Sequence, residues 1–284
     1  MSALDTPAKA RRSWLSPSLV IGGSLALLIV AVALISYVWT PHAPTQMAIL
    51  NRLKGPSATN WFGTDQFGRD VFSMIMVGAR NSLAVGLGAV GIGMLLGSGL
   101  GLVAAVRRDG ILDHLIMRTA DFTHAFPAVL TAIMLTAIAG PGMLNAVIAI
   151  GVLNLPYFAR LARGAALQVW QQDFIHAARA AGLSTRQITL RHVLPNIAGI
   201  LTVQATIQFA LAVLAEAGLS YLGLGTQPPN PSWGRMLNES QTFMAMQPWL
   251  AIFPGAAIAV TVLGFNLLGD GLRDAIDPRL RRSR

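Results

Sequence analysis

Several long stretches of this chain carry almost no charge, and nothing else in the sequence narrows the fold so far. They fall at residues 17–39, 81–106, 122–159, 197–222 and 249–269. In lipid every backbone N–H and C=O must be satisfied within the segment, and a helix needs about 20 residues to cross. The run from Phe122 to Ala159 has no Asp, Glu, Lys or Arg, and Ala139-Gly140-Pro141-Gly142 interrupts it. It is too long for one helix, so it reads as two spans, at 116–138 and 142–159. The expected fold is all-α, a polytopic membrane protein of six transmembrane helices. Charged residues make up 12% of the chain, where soluble domains carry about 25%. Arg11-Arg12 has a faint twin-arginine look, but the run that follows is too long for a cleaved signal and reads as an uncleaved first span.

Six spans put both termini on one side, and the cations test that arrangement. Sixteen Lys and Arg fall on the side holding the termini, the Arg107-Arg108 turn and the Arg160–Arg191 stretch; five, Arg52, Lys54, Arg69, Arg80 and Arg235, fall on the other. The positive-inside rule makes the richer side cytoplasmic. The net charge of +9 is thus placed beside apolar runs, and no nucleic-acid partner is expected. The domain reading is a tail at 1–16, a first helix at 17–39, an outer loop at 40–80, a core of five spans at 81–272 and a tail at 273–284. Within the core, Gly93, Gly97 and Gly101 lie four apart, a small-residue face suited to close helix packing.

A polar island at 160–196 interrupts the core. It reads as helix, elbow, helix. Asp173 is placed to cap a short helix carrying Phe174, Ala177, Ala178 and Ala181 on one narrow face. Gly182 ends that helix, Ser184 with Gln187 has the form of a capping box, and Pro195 closes the segment.

This stretch resembles the "EAA" coupling loop of bacterial ABC importer permeases. Ala177, Ala178, Gly182, Leu194 and Pro195 match in register, while His176 stands where the family has glutamate. Other segments resemble the dipeptide, oligopeptide and nickel branch of that family. Trp61-Phe62-Gly63-Thr64-Asp65-Gln66-Phe67-Gly68-Arg69-Asp70 is similar to one element, with Met74 where arginine is usual. Ala217 to Gly225 followed by Pro228-Pro229-Asn230-Pro231-Ser232-Trp233-Gly234 is similar to a second. Asn266 to Asp274 with Asp277-Pro278-Arg279 is similar to the carboxy-terminal signature.

The resemblance implies a permease subunit of an ATP-driven importer in the bacterial inner membrane. Its partners would be a homologous second permease, two ABC ATPases and a periplasmic substrate-binding protein, besides the bilayer. The cargo would be di- or oligopeptides, with nickel or another small solute as the alternative. Asp173, Phe174, His176, Ala177, Ala178, Ala181, Gly182, Leu183, Arg186 and Pro195 would form the ATPase contact. Asp65, Arg69, Asp70, Glu216 and Trp233 would belong to an outer gate or binding-protein seat. The residues themselves also allow plainer roles: local ion pairs of Arg69 with Asp65 and Asp70, and a hydrogen bond from Glu216 to a neighbouring helix. Asp121 and His124 read as interfacial, pairing with Arg118.

No enzyme activity is expected of the chain. Its two lysines, Lys9 and Lys54, follow no glycine-rich phosphate loop, so ATP and Mg2+ would belong to partner subunits and this chain would hold no cofactor. Its five histidines have no metal-ligand spacing, and cysteine is absent. A secondary transporter or channel is the rival reading, with Pro156 and the break at 139–142 as hints of the broken helices such proteins use. A scaffold without transport is a weaker one.

Overall fold

The computed structural model describes residues 16–276. Lys9, Arg11, Arg12, the cations from Arg279 onward and the Asp277-Pro278-Arg279 part of the carboxy-terminal signature lie outside the described residues. Among the described residues the regular structure is helical: α1 (Pro17–Val38), α2 (Val71–Val106), α3 (Ile111–Ala125), α4 (Ala128–Ala139), α5 (Met143–Trp170), α6 (Asp173–Ala180), α7 (Thr185–Tyr221), α8 (Trp233–Ser240) and α9 (Trp249–Ile276).

Five of these, α1, α2, α5, α7 and α9, are long and apolar enough to cross a membrane singly. The expected third span differs from its reading. It is a bent pair, α3 and α4, turning by 93° at Phe126-Pro127. Pro127 offers no N–H to the ladder, and the residue before proline is pushed out of the helical region; Phe126 is accordingly extended, with φ −98° and ψ 141°. The pair still joins the two ends of the bundle. Asp113, near the start of α3, binds Arg163 at one end, and Gly142, just past α4, donates its N–H to Leu224 O at the other.

Helix ends also differ from the reading. The second span begins at Val71, ahead of the expected residue 81, because Asp70 caps it by accepting from Ser73 N at 2.8 Å. Arg80 made this turn look like loop, but its guanidinium lies over the Tyr37 ring, 4.4 Å from the centroid. The fourth span runs on to Trp170, so Arg160 and Arg163 are helical. Arg160 pairs with Asp121 at 3.0 Å and donates to Ala120 O, replacing the expected Arg118 partner of Asp121.

Packing follows the small residues. Gly93, Gly97 and Gly101 of α2 face α5, where Asn154, Leu155, Phe158 and Ala159 come close enough to leave no room for a Cβ. The glycine face therefore serves packing within the chain. α1 lies along α9 and α2, while α2, α5, α7 and α9 make the centre. A π-helical turn at Gly93–Gly97 sits at the α2–α5 crossing.

Candidate functional site

At the end of the bundle that holds Arg107 and Arg163, α6 lies across the connection between α5 and α7. Gln172, with no side-chain cap, takes the N-cap position expected of Asp173. Asp173 is the first helical residue, where its carboxylate still faces the positive end of the helix dipole. The C-terminal end is as expected. Gly182 has φ +84°, Gly182 N donates to Arg179 O at 2.9 Å and Leu183 N to Ala178 O at 3.1 Å. These two bonds are the Schellman closure, which needs a residue in the left-handed region at that place. Two residues on, Ser184 and Gln187 form the reciprocal capping box that starts α7: Ser184 N donates to Gln187 Oε1 at 2.9 Å and Gln187 N to Ser184 Oγ at 3.3 Å.

Ile175 anchors α6 to the body and is fully buried; Ala178 and Leu183 are half-buried beside it. Asp173, Phe174, His176, Ala177, Ala181, Gly182 and Arg186 are exposed, and Phe174 has 44% of its surface free. The Arg179 guanidinium stacks 5.0 Å from the Trp170 ring centroid and ties α6 back to the end of α5. The result is a short rigid helix with one side pinned and the other side open, carrying an aromatic and small residues.

Pro195 does not close the segment. The helix runs through it from Thr185 to Tyr221 without a break. A π-helical turn at Thr189–Val193 precedes it, closed by Leu194 N donating to Thr189 O, and this wider turn accommodates the residue that cannot donate. The helix that follows the elbow and the fifth span are therefore one rod of 37 residues, about 55 Å at 1.5 Å per residue.

The far end of that rod meets the second cluster. Glu216 is fully buried; its Oε2 accepts from Ser82 Oγ of α2 at 2.9 Å and its Oε1 from Ser220 Oγ at 2.6 Å. Trp233, also fully buried, donates Nε1–H to Ile75 O at 3.0 Å, and Asn81 Nδ2 donates to Pro231 O at 2.7 Å. The segment before α8 is thus wedged between α2 and α7. In the loop before α2, Asp65 Oδ2 accepts from Arg69 Nε at 2.6 Å, and Arg69 reaches across to Glu239 at 2.7 Å, which Arg235 also holds at 2.7 Å. Asp70 is taken up by capping α2 and by Asn60 at 2.8 Å, so Arg69 pairs with Asp65 and Glu239. Asp65, Arg69, Asp70, Glu216 and Trp233 are all buried; they hold a cap together at this end of the bundle, and other residues form its surface. Sequence reading missed Glu239, whose one signal is the i, i+4 spacing from Arg235. It also missed the bidentate Arg163–Asp113 pair, both contacts at 2.6 Å.

α7 thus runs from the pinned α6 at one end of the bundle to the buried Glu216 cluster at the other. The family model for the binding-protein-dependent transport system inner membrane component matches residues 97–282. The chain belongs to that family. It is a multi-pass inner-membrane permease of the bacterial ABC importer kind. It is 44% identical over 262 residues to the dipeptide transport system permease protein DppC of Alkalihalophilus pseudofirmus, covering 92% of this chain and 86% of that one. It is likewise 44% identical over 263 residues to the glutathione transport system permease protein GsiD of Pectobacterium atrosepticum, covering 92% and 87%. In fold it resembles an inward-facing crystal structure of the MetNI methionine ABC transporter. The TM-score is 0.61 at 19% identity, covering 72% of this chain and 97% of that one. Within this permease Pro156 sits inside the unbroken α5, and the break at 139–142 is the turn between α4 and α5. Neither provides the interrupted span that a secondary transporter would use.

Proposed function

We propose that this permease forms, with a homologous second permease, the path for di- or oligopeptides in an ATP-driven importer. A binding protein would deliver cargo at the outer cap, and two ATPases would dock α6. The observation that carries this reading is the open face of α6, with Phe174, His176, Ala177 and Ala181 outward and Ile175 buried. A partner that pushes on such a helix moves α7 as one rod, and α7 is bonded to α2 beside the outer cap through Glu216 and Ser82. Closure of the ATPases would rock the spans between outward-open and inward-open arrangements. Peptide cargo is supported by the names of the relatives, dipeptide and glutathione systems at 44% identity.

The reading requires α6 and both termini in the cytoplasm and the cap outside, which the bias of sixteen cations against five supports. Single cysteines test it cleanly, since the chain has none of its own. Gln171→Cys and Asn230→Cys both fall at exposed positions. In intact cells stripped of their outer membrane, an impermeant maleimide is expected to label the second and spare the first. Labelling of Gln171→Cys alone would invert the topology and remove the ATPase from α6.

A further inference from the structure

We propose that an anionic phospholipid sits in a groove between α2 and α7, beside the coupling helix, with its phosphate at Arg107 and Arg186 and an acyl chain beneath. The groove has a volume of about 570 Å3. Val103, Val106 and Leu190 give it apolar walls, each at least a third exposed. Arg107 and Arg186 line it as well, and Arg107 follows directly on the end of the charge-free run. Gly99 lies about 12 Å from Arg107 along α2, allowing 1.5 Å per residue, and no atom lies within 4 Å of a Cβ built on it. The missing side chain keeps the inner end open.

Two observations choose a lipid as occupant. The charge-free run of α2 ends at Val106, and Arg107 is the first cation after it, so the walls lie at hydrocarbon depth and the mouth at headgroup depth. Among the described residues, no ion pair occupies Arg107 or Arg186; neighbouring Arg108 pairs with Asp109, and Arg163 with Asp113. Two uncommitted guanidiniums over an apolar slot match a phosphate with a hydrocarbon tail. Each cation near the surface of an anionic leaflet contributes about fivefold to such binding.

The assembled complex, purified with its partner subunits, is equilibrated with equimolar phosphatidylglycerol and phosphatidylethanolamine and weighed by native mass spectrometry. Phosphatidylglycerol is expected to be retained about 25-fold over the zwitterionic lipid, about fivefold from each arginine. Arg107→Ala is expected to lower the ratio about fivefold, and Arg107→Lys to keep it. Gly99→Leu fills the inner end and is expected to abolish retention. Gly91→Leu, also unobstructed but away from the groove, is expected to keep it. Equal retention of the two lipids by the unaltered complex would overturn the proposal. So would unchanged retention in Gly99→Leu, displacement of phosphatidylglycerol by inorganic phosphate, or cross-linking of Leu190→Cys to a neighbouring subunit.

Discussion

Gly182→Val is expected to abolish transport while leaving the spans inserted. Gly182 holds φ +84° with no atom within 4 Å of an added Cβ, so the obstacle to a side chain is backbone conformation and not space. A β-branched residue in the left-handed region costs about 1–3 kcal/mol. The Schellman bonds to Ala178 O and Arg179 O depend on that conformation. Losing them swings α6 away from the capping box that starts α7, and the open face then no longer meets an ATPase squarely. Gly182→Asn is expected to retain most activity, because asparagine enters this region at low cost. His176→Glu is expected to be tolerated, since position 176 is exposed and, among the described residues, no hydrogen bond or ion pair holds it. Co-purification of the ATPases and cargo-stimulated ATP hydrolysis are the measurements. Normal coupling in Gly182→Val together with loss in His176→Glu would show that the elbow transmits nothing.

Gly97→Leu is expected to prevent assembly altogether. A Cβ on Gly97 would lie 2.6 Å from Leu155 O and 2.9 Å from Phe158 Cβ. The first is backbone and the second belongs to a fully buried side chain, so neither gives way without parting α2 from α5. Overpacking of this kind costs about 1–3 kcal/mol even where side chains can move, and here the helices themselves must separate. In membranes without a strong hydrophobic drive between helices, close backbone packing is the main cohesion. Fluorescence-detected size exclusion of the complex is expected to lose its peak in Gly97→Leu and keep it in Gly99→Leu, two residues along the same helix. Equal peaks would mean that the α2–α5 crossing is not held by the glycine face.

The features legible in the sequence were local ones. The Gly182 elbow and the Ser184–Gln187 box need no distant partner, and each occurs where residue type and spacing placed it. Apolar runs located the crossings for the same reason. What failed depended on partners far along the chain. Arg80 reads as a loop residue until Tyr37 is brought beneath it, and Arg163 until Asp113 is brought against it, fifty positions away. Asp65, Arg69 and Asp70 look like exposed loop charges, yet Glu239 and Asn60 cover them. Pro127 and Pro195 show that one residue type can break a helix or be absorbed by it. At 127 the preceding residue turns extended; at 195 a π-helical turn widens the ladder and the rod continues. That difference lies in the packing around each proline. Ile188, Val193 and Ile197 are buried on either side of Pro195, while residues 126–130 are exposed.

Uptake of a labelled dipeptide into proteoliposomes is the most direct test of the central claim, that an ATP-driven partner works this permease through α6. The vesicles hold the full complex with binding protein outside. ATP is enclosed in one set and withheld from a second that instead carries proton and sodium gradients. Uptake is expected in the first set and absent in the second, and absent in both when Gly182→Val replaces the natural subunit. Uptake driven by a gradient without ATP would contradict the account.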